Sequence, residues 1–178
     1  MRIRAGRYKG RLLAYPRSGL RPTKDMTRQA IFNILGVHVK GVRVCDLYAG
    51  GGSLGVEALS RGASEAVFVE KNPVVLRFLR QNVRGLEGAA VITGDVLRVL
   101  ARLAEPGFDI VLADPPYCNA LVQQTLDRVA EHGVLRPGGF LVVEHHKLEQ
   151  PVAPQGWELL KQGQYGDSWV SVLRRQGG

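Results

Sequence analysis

Between residues 42 and 145 short apolar runs alternate with helical periodicities, an order that few architectures accommodate. Strands are expected at 42–48, 65–70, 89–93, 108–113 and 139–145, with helices near 54–61 and at 73–84, 96–104 and 119–131 between them. Continuous Val, Ile and Leu runs bounded by Gly, Pro and Asp suit strands buried on both faces, so the sheet should be mostly parallel with helices on either side. After residue 150 the rhythm changes: Pro151 and Pro154 break the chain, and 157–161 with 168–174 read as a hairpin without an intervening helix. The fold class is therefore α/β, with a mostly parallel seven-stranded sheet ending in an antiparallel edge hairpin.

Open sheets of this kind bind ligands beyond the carboxyl ends of their strands. The run Phe108-Asp109-Ile110-Val111-Leu112-Ala113 leads there into Asp114-Pro115-Pro116-Tyr117. Two prolines forbid continuation of the strand and hold a carboxylate and an aromatic ring at its end. The chemistry suited to this turn is alkylation of a planar exocyclic amine. Asp114 and the Pro115 carbonyl can accept its two N–H bonds and favour a pyramidal nitrogen, Pro116 keeps the turn free of competing donors, and Tyr117 offers a stacking face. The bland alternative is a strand-ending turn with a capping Asp.

The first strand runs into Asp46-Leu47-Tyr48-Ala49-Gly50-Gly51-Gly52-Ser53-Leu54-Gly55, a glycine-rich turn opening a helix, where a ligand against the backbone would collide with any Cβ. Gly50, Gly52 and Gly55 match G-x-G-x-x-G, and Glu70 ends the next strand, so a nicotinamide dinucleotide competes with S-adenosyl-L-methionine for the site. Asp46 favours the latter, because it can reach an amino-acid ammonium that a dinucleotide lacks. Hydride transfer also has no use for residues 114–117. The candidate cofactor contacts are Asp46, Tyr48, Ala49, Gly50, Gly52 and Gly55 in the turn, Glu70 on the ribose hydroxyls with Lys71 beside it, and Asp95 and Val96 at the adenine. Asp95 reads equally well as a helix cap, Asp114 borders the cofactor and the substrate, and Thr23 either binds an anion at a helix start or simply caps it.

Charge separates the amino-terminal stretch from the rest. Residues 1–43 carry eight Arg and three Lys against one acid, Asp25, a net of +10, so the other 135 residues sum to −2. Arg2, Arg4, Arg7, Lys9, Arg11, Arg21 and Arg28 are the candidate RNA contacts, with Gly6 and Gly10 marking a small hairpin and Tyr8 and Tyr15 available to unstacked bases. Residues 1–40 thus read as a basic hairpin-and-helix extension that binds RNA, and 41–178 as a catalytic domain. Two cysteines, Cys45 and Cys118, suggest free thiols in a reducing compartment, and no run is long and apolar enough to span a membrane. A cytoplasmic monomer is expected. His145 and His146 are neighbours on a strand and point to opposite faces, so no metal site is expected.

Taken together, Gly10-Arg11 in a basic hairpin, Leu20-Arg21-Pro22-Thr23 before a helix, residues 46–55, Val69-Glu70 and residues 114–117 resemble the bacterial RsmD family over nearly the whole chain. The resemblance implies a class I S-adenosylmethionine-dependent methyltransferase of Rossmann-like fold. Its activity would be transfer of a methyl group to the exocyclic N2 amine of a guanine in 16S rRNA, within the small ribosomal subunit or its assembly intermediate. The glycine-rich and Asp-Pro-Pro-Tyr motifs are shared with other amino-methylases. The alternatives are accordingly a DNA adenine-N6 methyltransferase and a non-catalytic RNA-binding assembly factor.

Overall fold

The computed structural model describes residues 1–16, 25–117 and 120–177. Seven strands form one sheet: β1 (Arg43–Leu47), β2 (Glu65–Glu70), β3 (Ala89–Thr93), β4 (Phe108–Ala113), β5 (Leu135–His145), β6 (Trp157–Tyr165) and β7 (Ser168–Arg175), in the order β3-β2-β1-β4-β5-β7-β6. The first five are parallel, and β7 pairs antiparallel with both β5 and β6, so the edge hairpin is present.

Among the described residues five α-helices cover the sheet: α1 (Asp25–Leu35), α2 (Ser53–Ser60), α3 (Pro73–Val83), α4 (Val96–Val99) and α5 (Leu121–Glu131). Alternation along each strand sorts side chains between two faces. Cys45, Leu47, Val67, Val69, Val111 and Ala113 pack with Val99 of α4 and Leu126 of α5 on one face. Val44, Ile110 and Leu112 pack with Ile31 and Phe32 of α1 and Leu54 of α2 on the other, where Phe68 meets Leu76 and Leu79 of α3. Cys45 is buried within the first of these cores. No helix among the described residues is long and apolar enough to cross a membrane.

Three elements differ most from the sequence expectation. The expected helix 96–104 is a single α turn, α4, followed by a 3-10 turn at Leu100–Arg102. Strand β5 begins at Leu135, because Phe108 pairs with Leu135 while Ile110 pairs with Phe140, leaving a bulge around Pro137 and Gly138. Strand β6 reaches Tyr165, since its pairing with β7 continues to Ser168.

The amino-terminal hairpin is reduced to one antiparallel bridge, Arg2 to Leu12, and is bound tightly to α2. The carboxylate of Glu57 accepts the amides of Arg4 at 2.9 Å and Ala5 at 3.1 Å, and the Ser60 carbonyl accepts the Arg7 amide at 2.7 Å. Gly6 sits against that carbonyl with φ +81°, and a Cβ there would lie 1.7 Å from the oxygen, so no other residue fits. Ile3 and Leu13 are buried in a core shared with α2 and α3. Arg28 corrects an expected RNA contact. Its side chain is buried, donates to the Arg2 carbonyl, and pairs with Asp25 at 2.8 Å and with buried Glu57 at 3.5 Å. The cation holds the hairpin from within and is out of reach of any phosphate.

Candidate active site

Strand register builds the site. Val69, Leu47, Ala113 and Val143 are successive partners across β2, β1, β4 and β5. The residues that follow them, Glu70, Tyr48, Asp114 and Glu144, therefore form one row at the carboxyl end of the sheet. All four line a cavity of about 770 Å³.

The glycine-rich turn leaves β1 through an unusual backbone. Tyr48 has φ +58°, a costly conformation for a residue with a Cβ, and Gly50 has φ +56°. The Tyr48 hydroxyl lies 2.8 Å from Thr125 Oγ1 on α5, which fixes the ring across the floor of the cavity. Ala49 and Gly50 line it as well, but Gly52 and Gly55 do not, and this corrects the reason for their being glycines. A Cβ on Gly52 would lie 2.7 Å from Leu79, and one on Gly55 would lie 2.3 Å from the Phe68 ring. These two glycines let α2 pack on β2 and α3, and a ligand is not their reason. Behind them Asp46 is 1 % exposed and accepts the Gly55 amide at 2.8 Å. Burial drives its carboxyl well above the ordinary range, and the charges of Asp114 and Glu70 push in the same direction.

Glu70 accepts three backbone amides, Gly50 on Oε2 at 2.9 Å and Lys71 and Asn72 on Oε1 at 2.8 Å each. A carboxylate has about four lone-pair sites, so this network leaves one, on Oε2. Holding both ribose hydroxyls, as the sequence leads one to expect, would require some of these bonds to exchange. Lys71 lines the cavity and pairs with Asp95 at 3.0 Å. Asp95 is the cap of α4, accepting the Leu97 amide at 3.2 Å, and lies outside the lining; the Lys71 hydrogen bond lowers its pKa. Val96, Val74 and Val75 supply an apolar wall, of a kind that suits a purine ring.

At the other end of the row, Asp114, Pro115, Pro116 and Tyr117 line the same cavity. The Tyr117 hydroxyl donates to Glu144 Oε1 at 3.0 Å and lies 2.8 Å from Ser168 Oγ, so the ring is anchored by β5 and β7. Burial, with the charge of Glu144 adding to it, pushes this phenol up to about 12. The sequence does not single out Glu144 or Ser168, although Glu144 holds the row position on β5 that Asp114 holds on β4. Tyr15 also departs from its expected place. Its ring lies over Gly51, where a Cβ would be 2.4 Å away, and it lines the cavity instead of facing solvent. Asn82 on α3 ties this stretch to the turn by accepting the Ala14 amide at 2.8 Å and donating to the carbonyls of Ala14 and Gly51 at 2.9 Å each. Nothing in the sequence marks it.

Arg2, Arg4, Arg7 and Lys9 are exposed on the hairpin, with Arg4 paired to Asp25 and Arg7 weakly paired to Glu87 at 3.4 Å. Arg11 is half-buried and donates to the carbonyls of Asn82 and Arg84 at 3.0 Å each, at the end of α3. Arg21, Thr23 and Cys118 lie outside the described residues. His145 is buried, and its Nε2 lies 2.8 Å from Ser171 Oγ, which accounts for it structurally. Its lowered pKa comes chiefly from burial. No group of three or more His, Cys, Asp or Glu able to hold a metal occurs among the described residues.

The cavity fits S-adenosylmethionine on its own chemistry. Glu70 and Asp114 line it with carboxylates that an ammonium and a sulfonium would complement, and Val96, Val74 and Val75 add an apolar wall, while Asp46 lies behind the turn and outside the lining. Residues 1–174 match the protein family described as Conserved hypothetical protein 95. A relative in Haemophilus influenzae named ribosomal RNA small subunit methyltransferase D is 37 % identical over 91 % of this chain and 87 % of its own length. Among solved structures, a hypothetical protein of Thermus thermophilus superposes with a TM-score of 0.82 at 31 % identity, covering 97 % of this chain and 98 % of that one. An RNA methyltransferase of Salinibacter ruber, solved with S-adenosyl-L-homocysteine, shares the fold at a TM-score of 0.69 and 18 % identity, covering 88 % of this chain and 95 % of that one.

Proposed function

The chain belongs to the family described as Conserved hypothetical protein 95, the RsmD family of the sequence resemblance, and on that premise we propose that it methylates the exocyclic N2 amine of a guanine in small-subunit ribosomal RNA. The observation that carries this reading is that Asp114, Pro115 and Tyr117 line one cavity with Glu70 and Gly50, so amine-handling and cofactor-holding groups share a single space. Bound S-adenosylmethionine supplies an electrophilic methyl on sulfur. Glu70, Gly50 and the Val96 wall hold it, while Asp46 keeps the turn in shape by accepting from Gly55. Asp114 and the Pro115 carbonyl accept the two N–H bonds of the amine, which localises its lone pair and aims it in line with the methyl carbon. Tyr117, its hydroxyl tethered to Glu144 and Ser168, stacks on the flipped base. Transfer would break the sulfur–methyl bond, its electron pair staying on sulfur, as the nitrogen–carbon bond forms, and the proton the amine then sheds would go to Asp114 or water.

In this reading residues 1–40 form the RNA-binding extension and 41–178 the methyltransferase domain, with Arg2, Arg4, Arg7 and Lys9 turned outward to meet phosphates. The same reading takes the enzyme to act as a monomer. The test is mass mapping of ribosomal RNA methylated by the purified enzyme on small subunits from a strain lacking the gene, alongside Asp114→Ala. One N2-methylguanine should appear with wild-type enzyme and none with the variant, whose cofactor affinity should stay within a few-fold of wild type. Methylation of duplex DNA with none on ribosomal particles would replace this reading with an adenine-N6 one, and near-normal turnover by Asp114→Ala would sink the mechanism.

A further inference from the structure

Asp114 and the Pro115 carbonyl accept from an exocyclic amine, but adenine and cytosine carry one as well as guanine. Guanine alone has a ring N–H, at N1, beside its amine; the other two present a lone pair at the adjacent ring nitrogen. A carboxylate facing that edge would therefore accept from guanine and repel the other two. Glu144 has this geometry. Ala113 pairs with Val143, so Asp114 and Glu144 leave neighbouring parallel strands side by side, roughly 4.8 Å apart in the backbone. Both line the cavity, and Glu144 is only 4 % exposed, so its charge acts in a poorly solvated setting. Its Oε1 accepts from the Tyr117 hydroxyl at 3.0 Å, which locks the carboxylate in a fixed orientation to the stacking ring.

We propose that Glu144 is the guanine-selecting residue, its carboxylate accepting the ring N1–H while Asp114 and Pro115 take the amine. This rests on the guanine-N2 reading above. The competing role is an anchor for Tyr117 that touches no base.

The probe that separates the two is 2-aminopurine, which keeps the 2-amine but carries a lone pair at N1. Small subunits are reconstituted with 16S rRNA bearing guanine or 2-aminopurine at the mapped position, and kcat/KM is measured for wild type, Glu144→Gln and Tyr117→Phe, each checked for folding by thermal melt. Wild type should prefer guanine by roughly 100-fold. Glu144→Gln should lose roughly 10-fold on guanine, since its amide oxygen still accepts the N1–H without the charge, and should gain roughly 10-fold on 2-aminopurine, whose lone pair its amide N–H can meet, so the preference should fall toward one. Tyr117→Phe should lower both rates together. An equal loss on both bases in Glu144→Gln would show an anchor and overturn the assignment. So would wild-type enzyme that accepts 2-aminopurine as readily as guanine, a result that needs no variant. Wild-type enzyme active on neither base would instead refute the guanine-N2 reading, and this assignment with it.

Discussion

Glu57→Gln is the substitution whose consequence the structure fixes most fully. The wild-type carboxylate accepts the Arg4 and Ala5 amides, pairs with Arg61 at 2.9 Å and faces Arg28 at 3.5 Å, with Glu57 and Arg28 only 0 % and 1 % exposed at their side chains. Glutamine preserves size and one acceptor oxygen but leaves the buried Arg28 cation with only the part-exposed Asp25, at 2.8 Å, as a charged partner. Removing one partner of a buried pair costs about 3–5 kcal/mol, and the surviving acceptor favours the lower end, about 3 kcal/mol. At this chain length 1 kcal/mol moves the melting temperature by about 2–4 °C, so a fall of about 6–12 °C is expected. The companion is Arg28→Met, which fills the same space without charge. The double variant should recover at least about 1.5 kcal/mol of the sum of the two single losses, as a coupled pair requires. Urea and thermal melts give the energies, and hydrogen exchange reports whether the Arg4 and Ala5 amides lose protection while the central strands keep theirs. A single-variant cost below about 1 kcal/mol, or strictly additive losses, would refute the claim that this buried carboxylate fastens the hairpin.

Neutralising Arg2, Arg7 and Lys9 to Gln should flatten the salt dependence of RNA binding by about two units of slope, at about 0.7 per lost phosphate contact on single strands; an unchanged slope on folded protein would discharge the hairpin from this role. Asp46→Asn should stabilise the ligand-free enzyme at pH 7 by about 1 kcal/mol and weaken cofactor binding by calorimetry. The raised carboxyl binds its proton more tightly in the folded state, so its contribution is fullest below the unfolded value near 3.8 and is lost as pH rises through the folded pKa. The advantage of the variant should therefore fade in acid, and a variant less stable than wild type at neutral pH would contradict this. Gly55→Ala sets a Cβ 2.3 Å from Phe68 and 3.0 Å from Asp46 Oδ2, and should cost about 1–3 kcal/mol in thermal melts whether or not cofactor is present. A loss seen only with cofactor would restore the ligand-contact reason for this glycine.

The central strands were legible because a buried parallel strand has to be a short apolar run, and β2, β3 and β4 match their expected spans. The carboxyl-end row was half legible. Glu70 and Asp114 announce themselves next to an Asn-Pro and a Pro-Pro, whereas Glu144 precedes two histidines that draw attention to metals instead. Arg28 shows where charge misleads. Positions 28, 31, 32 and 35 share one helical stripe, and all four are buried, so the arginine belongs to the inward face and the assumption that it meets water fails. Gly55 shows a different ambiguity: close approach of backbone to a ligand and to a phenylalanine ring demand the same residue. Asn82 could not have been found, because its three partners come from segments 31 and 68 residues away.

Those distances along the chain bear on how the protein is made. The hairpin leaves a translating ribosome ahead of the groups that hold it, Glu57, Ser60, Asn82 and Arg84, which follow 52 to 73 residues later. At about 5–20 residues per second the chain waits roughly 3–15 s between exposing Arg2, Arg4, Arg7 and Lys9 and supplying their dock. During that interval the most cationic stretch of the protein lies near ribosomal RNA without the partners that hold it in the folded chain. All four holding groups are in the chain only once α3 and Arg84 have been made.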